Sequence, residues 1–283
     1  MTSPEPVKRT EEIESWSNLY LVHPLSGALV PVFARLGITP NQVSLAGLAC
    51  GVLAGASYAR ADHPAFAALG FALMFAWHVL DGADGQLARL TNSFSELGKL
   101  IDGVCDYVTF TAVYLGFAVL LMPRAGHWVL GLIILAGVAH ALQSAAFEMQ
   151  RQAYNALGLG RRSAALPDLG IAAKPGLAGG LYRLYERVQI LVSGGVASFA
   201  PSFTAALATS PDPDTLRARF RATFAPIVRQ WSLFSSNTRT GLIFLCAITG
   251  WPLLYFALEL LGLSAALAWY LTRQRALYES FKF

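Results

Sequence analysis

Apolar stretches long enough to cross a bilayer recur along this chain, at 41–58, 64–80, 103–122 and 128–147. A further tract, 240–271, is broken by Trp251-Pro252 and reads as a helical hairpin whose first arm begins near Ser235. About 20 apolar residues rising 1.5 Å each cross a ~30 Å hydrocarbon core, so these tracts predict six transmembrane helices. Only 13% of the 283 residues are charged and 55% are hydrophobic, against roughly 25% charged in a soluble domain. The expected fold class is all-α: a polytopic membrane protein with six transmembrane helices, an N-terminal interfacial helix, and a long cytosolic tract between helices 4 and 5.

The basic residues orient that arrangement. On a six-span topology, Arg60 and Arg124 fall in outer loops, while the rest of the 21 lysines and arginines lie on the inner side or at its boundary. Lys and Arg accumulate in cytoplasmic loops, which places both termini in the cytosol and the expected location in a bacterial inner membrane. Residues 1–16 are charged and lack an apolar core, so no cleaved secretory signal is expected. Cys50, Cys105 and Cys246 are isolated within apolar segments and read as small core residues rather than a disulfide or thiolate site.

Four regions follow. Residues 1–37 form a cytosolic N-terminus whose 19–36 stretch has apolar residues at helical spacing, interrupted by Pro24 and Pro31, and reads as an interfacial helix. Residues 38–150 hold transmembrane helices 1–4. Residues 151–235 are a basic cytosolic or interfacial tract, too long for a simple loop. Within it 181–189 reads as helical, 190–200 as apolar but too short to span, 211–215 as a turn, and 216–231 as an amphipathic helix with Arg217, Arg219, Arg221 and Arg229. Residues 236–283 hold helices 5 and 6 and a cytosolic C-terminus. The arginines of the tract suit anionic lipid headgroups, and a subset could line a pocket for an anionic substrate. No nucleic-acid partner is expected.

The second and third spans carry the residues that demand an explanation. Asp81, Asp84, Asp102 and Asp106 stand where apolar sequence would otherwise run, in the order Asp81-x2-Asp84-Gly85-x2-Ala88-Arg89-x8-Gly98-x3-Asp102-x3-Asp106. Each carboxylate at membrane depth costs roughly 2.5 to 3.5 kcal/mol to insert, and like charges ~4 Å apart repel, so a cation has to sit among them. At about 100° per residue Asp81, Asp84, Gly85 and Ala88 share one helix face, and Asp102 and Asp106 share a face of the next helix. A turn at 91–96 is short enough to make the two spans antiparallel neighbours, so the four carboxylates can converge near the cytosolic ends.

Oxygen ligands of high charge suit magnesium, manganese or calcium, and four carboxylates suffice for two such ions, the arrangement used in phosphoryl-type displacement. Gly85 and Ala88 remove bulk so that a large ligand can approach the backbone, and Arg89 can reach phosphates as a bidentate donor. A structural ion network with Arg89 and Lys99 would leave two carboxylates uncompensated. His78 reads as a packed or hydrogen-bonded histidine rather than a ligand. Glu148 and Glu186 need no more than a cytosolic boundary position.

This string resembles the CDP-alcohol phosphotransferases (CDP-alcohol phosphatidyltransferases) at every defined position of their motif. The resemblance implies six transmembrane helices, a homodimer, and a polar cavity open to the cytosol. It implies that Asp81, Asp84 and Asp102 hold two divalent metal ions, Mg2+ or Mn2+, on the donor's pyrophosphate. Asp106 would face the same metals and act as general base. Gly85, Ala88 and Arg89 would bind the CDP moiety, with Gly98 permitting close packing beside it.

The reaction expected is transfer of a substituted phosphate from a CDP-alcohol to an acceptor hydroxyl with release of CMP, in phospholipid biosynthesis, with Asp106 and Arg89 as the catalytic residues. CDP-diacylglycerol is the favoured donor, with an alcohol or phosphorylated alcohol as acceptor and membrane lipids as surroundings. The alternative is transfer from CDP-choline or CDP-ethanolamine to diacylglycerol, whose enzymes the 17–24 segment loosely resembles. A divalent-cation or proton transporter is the rival from another class.

Overall fold

A computed structural model describes residues 10–93, 96–161, 188 and 190–283; the side chains of 96, 97 and 99–102 lie outside the description. The described residues contain helices and no strand. Two compact units emerge, one from Met1–Gly137 with Ser236–Leu260, the other from Val138–Ser235 with Leu261–Phe283.

In the first unit a π-helical turn, Asn18–Val22, leads into α1, His23–Arg35. Pro24 falls in the first turn of α1, where its missing N–H has no partner to lose, and Pro31 lies inside the helix. Helix α2, Pro40–Tyr58, starts at a reciprocal capping box: the Gln42 amide donates to Thr39 Oγ1 at 3.4 Å and the Thr39 amide to Gln42 Oε1 at 2.8 Å. Helices α3, Pro64–Leu90, and α4, Glu96–Ala125, follow. After a turn at Gly126, α5 runs over Trp128–Ala153 and passes into the second unit.

Helix α2 packs on both α3 and α4. It approaches α4 at Gly55 and Gly116, where a Cβ added to Gly116 would stand 2.0 Å from the Gly55 carbonyl oxygen and one added to Gly55 2.4 Å from that of Ala112. No other residue fits either position, the small-residue device by which apolar helices gain van der Waals contact without a hydrophobic driving force. Tyr58, Met74, Trp77, Val113 and Phe117 fill the core beside this crossing, joined by Tyr255 and Phe256.

Helix α8, Ser236–Ile248, closes the first unit against α3. Between α5 and α8, the second unit contributes α6, Val196–Thr209, and α7, Pro213–Gln230. Its core buries Phe203, Phe220 and Phe224 fully, with Phe199 and Tyr278 against them. Asp212 caps α7, its Oδ1 accepting the Thr215 amide at 3.0 Å, and the bonds from the Thr215 side chain and backbone hold its carboxyl below the usual carboxylate range. The last helical run begins at Pro252, passes through a π turn at Leu258–Gly262, and ends with α9, Leu263–Ser280.

Among the described residues four helices are long and apolar enough to cross a membrane: Pro64–Leu90, Gly103–Ala125, Trp128–Gly158 and Pro252–Ser280. The other two expected spans are helical but differ from these. Helix α2 has 19 residues with a polar first turn, Pro40-Asn41-Gln42. The arm upstream of Trp251-Pro252 is α8, with 13 residues, which at 1.5 Å each extends about 20 Å, short of a ~30 Å core. The expected helix at 216–231 is α7, beginning three residues earlier because Asp212 and Pro213 supply the cap and the first turn. The expected helix at 181–189 and Glu186 lie outside the described residues, except that residue 188 is helical.

Candidate active site

Asp81 and Asp84 lie one turn apart on α3 and line one narrow cleft with Ser44 and Gly47 of α2, Trp77 of α3 and Cys105 of α4. Asp84 is buried, and its Oδ2 accepts a 2.5 Å hydrogen bond from the Ser44 hydroxyl. Among the described residues none lining this cavity is basic.

Arg89 folds back along α3 over Gly85. A Cβ placed on Gly85 would stand 3.7 Å from both Nη atoms of the guanidinium, so glycine here keeps the space beside the guanidinium open. Ala88 is buried on the same helix. Asp106 is half-buried on α4, and its neighbour Cys105 lines the cavity. Gly98 lies near the start of α4, partly exposed, and the side chain of Asp102 lies outside the description.

Asp81 also lines a second cavity, of about 40 Å³, together with Asn18, Val22, His23, His78, Gly82, Ser236 and Asn237. Helix α1 reaches this wall because Gly82 has no side chain: a Cβ there would meet Ser26 Oγ at 2.6 Å. Ser26 Oγ donates to the Val79 carbonyl at 2.7 Å. Asn237 Nδ2 donates to Ser17 Oγ at 2.9 Å and to Asn18 Oδ1 at 2.5 Å, and Asn18 Nδ2 donates to Glu14 at 2.7 Å. His78 is buried with Nε2 hydrogen-bonded to Thr240 Oγ1 at 2.9 Å, as expected of a packed histidine.

The structure thus brings together Asp81 and Asp84 of the expected site and sets Arg89 beside Gly85. Among the described residues no three His, Cys, Asp or Glu side chains group closely enough to hold a metal ion. The donors present are of the right kind for a hard divalent cation: two carboxylates and a hydroxyl, all oxygen, around one cavity. Ser44, Ser236 and Asn237 were invisible to motif reading, and Asn18 and His23 were noted only as part of the 17–24 segment, not as site residues. They are neutral residues from distant parts of the chain, and only the packing of α1, α2 and α8 around α3 assembles them.

The CDP-alcohol phosphatidyltransferase family profile matches residues 37–174. The chain carries a CDP-alcohol phosphatidyltransferase domain. This transferase domain holds α2 to α5 and all four aspartates, along with Arg89. Cholinephosphotransferase 1 of Gallus gallus is 37% identical over 86 residues, 28% of this chain and 26% of that protein. Choline/ethanolaminephosphotransferase 2 of Arabidopsis thaliana is 36% identical over 94 residues, 31% of this chain and 24% of its own. An uncharacterized CDP-alcohol phosphatidyltransferase class-I family protein 2 of Dictyostelium discoideum is 38% identical over 82 residues, 26% and 20% of the two chains. The chain thus spans about a quarter or less of the length of these relatives. No solved structure matches it.

Proposed function

We propose that this protein transfers a substituted phosphate from a CDP-alcohol to an acceptor hydroxyl and releases CMP, in phospholipid synthesis. The observation that carries this reading is the pair Asp81 and Asp84 lining one cavity within the transferase domain. Asp81, Asp84 and Asp102, with Asp106 beside them, would hold two Mg2+ or Mn2+ ions. Such ions, when bound, neutralise charge on the pyrophosphate and on the departing CMP.

The chain's own residues do the rest. Arg89 orients the donor phosphates through its planar pair of donors, and the small residues Gly85 and Ala88 would let the cytidine part approach α3. Gly98 allows α4 to approach it. Asp106 takes the proton from the acceptor hydroxyl as the new O–P bond forms and the bond from phosphorus to the bridging pyrophosphate oxygen breaks. CMP leaves with that oxygen.

CDP-diacylglycerol is the donor favoured by the sequence. The printed names of the chicken and Arabidopsis relatives favour a second reading, in which CDP-choline or CDP-ethanolamine is the donor and diacylglycerol the acceptor. Either way one substrate is a lipid. The six-span topology with cytosolic termini and a cytosolic active site belongs to this reading, as does the homodimer. So does α1 lying on the membrane surface, supported by exposed Tyr20, Leu21, Leu25, Val32 and Leu36 along and beside it.

Purified protein, assayed for CMP release against both kinds of donor with and without chelator, tests the proposal. CMP formation from one donor class, abolished by chelation and restored by Mg2+ or Mn2+, is expected. Absence of CMP from every donor and acceptor pair overturns the reading.

A further inference from the structure

We propose that Ser44 is a positioning residue of the site: its hydroxyl fixes the Asp84 carboxylate in the orientation that receives a divalent ion. This rests on the transferase reading above, in which Asp84 helps to hold such an ion. Ser44 and Asp84 stand on different helices, α2 and α3, and line the same cleft. Both are buried, and the hydroxyl donates to Asp84 Oδ2 at 2.5 Å. The Pro40 carbonyl oxygen, one turn back on α2, lies 3.2 Å from Ser44 Oγ. A hydroxyl has one proton to give, and the carboxylate, closer and charged, takes the stronger share of it.

Helix α2 is set against both neighbours by the face that carries Ser44. At about 100° per residue, Ser44, Gly47, Gly51 and Gly55 fall on one side of the helix. A Cβ on Gly47 would stand 3.4 Å from Trp77 Cδ1 of α3, and one on Gly51 would meet the Thr109 side chain of α4. With the crossing at Gly55, these close approaches leave α2 little freedom to slide, so Ser44 meets Asp84 from a fixed platform. An aspartate side chain turns about two bonds, and a donor held on Oδ2 restricts both, so the ion does not have to order its own ligand. A hydroxyl suits this task because it donates without adding charge. A lysine or arginine at the same place would neutralise Asp84 and compete with the cation.

Full-length protein in detergent, stripped with chelator, is titrated with Mn2+, and the free ion is read from its electron paramagnetic resonance signal. Ser44→Ala is expected to weaken Mn2+ binding by roughly 10- to 100-fold, and to raise by a similar factor the Mn2+ concentration that half-saturates CMP release. Ser44→Thr keeps the hydroxyl and should stay within about threefold of the parent, a rescue that a packing role alone would not give. Ser44→Cys keeps the volume but lacks a strong donor, so it should follow Ser44→Ala, and it carries the test if the alanine variant does not fold. Added to Asp84→Asn, Ser44→Ala should change Mn2+ affinity by no more than about twofold, because a residue that acts through Asp84 then has nothing left to hold. Parent Mn2+ affinity in Ser44→Ala or Ser44→Cys overturns the inference. So does a full second loss in the double variant, which would make Ser44 a metal ligand in its own right. With a parent that binds Mn2+ and releases CMP, either result leaves the transferase reading standing. A parent that binds no Mn2+ or releases no CMP overturns that reading, and this inference with it.

Discussion

Glu259 and Asp81 are both carboxylates set among the apolar helices of the first unit, and their surroundings are opposite in kind. Glu259 is fully buried and takes bonds from Arg239 Nε at 3.1 and 3.2 Å, from Arg239 Nη2 at 3.1 Å, and from the Tyr255 hydroxyl at 3.1 Å. Tyr255 in turn is 2.8 Å from the Tyr114 hydroxyl. Every charge in that group is answered by a side chain of the same unit. Asp81 is half-buried and borders two cavities whose described linings contain no basic residue. The first arrangement holds helices together and is complete without a ligand. The second sets carboxylates beside small cavities whose described lining carries no lysine or arginine, a placement that suits a cation or a polar substrate.

The difference predicts opposite consequences for neutralising each carboxylate. Asp81→Asn should cut CMP release by about 10³ or more, with donor affinity lost as well, if Asp81 helps to hold the divalent ions that would neutralise the pyrophosphate. Its thermal unfolding midpoint should stay close to the parent's, since Asp81 is only half-buried and asparagine keeps nearly its volume. A midpoint that falls together with activity would place Asp81 in the same class as Glu259 and break the comparison.

Asp106→Asn sharpens the comparison within the open site. It keeps the side-chain volume and removes the base, so turnover should fall by ~10² to 10⁴ while donor KM stays close to that of the parent. Turnover at the parent rate removes the base assignment. Loss of donor affinity as severe as that of Asp81→Asn makes Asp106 chiefly a metal ligand.

Breaking the closed pair comes next in size. Arg239→Met leaves Glu259 buried without its countercharge and should destabilise the protein by about 3 to 5 kcal/mol, read as a lowered unfolding midpoint in detergent. Removing both charges with Arg239→Met and Glu259→Leu should recover most of that loss, because well-packed apolar groups replace a pair whose desolvation is costly. If the double variant is no better than the single one, the pair contributes more than mutual neutralisation.

These two regions were unequally legible in the sequence. The aspartate string could be read because its residues are local: Asp81, Asp84, Gly85, Ala88 and Arg89 all fall on α3, where helical periodicity alone decides which share a face. The four apolar helices were legible for the same reason. The Arg239 and Glu259 pair was not, because its members sit on either side of the Trp251-Pro252 break and meet only once the chain has turned there. The second cavity was harder still. Asn18 and Asn237 are hydrogen-bonded yet 219 positions apart, and neutral polar residues leave no charge or periodic signal to read. The arm that became α8 was legible from the Trp251-Pro252 break, but its shortness was not, because the apolar run continues past it while the helix itself ends before Gly250 and restarts at Pro252.

The smallest effect should come from a third kind of charge placement, which serves as the control for the other two. Arg124 Nη2 lies 2.9 Å from Asp62 Oδ2, a distance as short as any in the buried pair, but the two side chains remain 50% and 54% exposed. Water and salt screen such a pair, and holding two side chains in one geometry costs conformational freedom. Arg124→Ala should therefore change stability by no more than about 1 kcal/mol and leave CMP release at the parent level. Together with Arg239→Met it separates distance from burial, since the two pairs are alike in separation and differ in solvent access. A loss for Arg124→Ala comparable with that of Arg239→Met would mean that proximity alone sets the strength of these pairs, and the contrast between a closed and an open carboxylate would lose its physical basis.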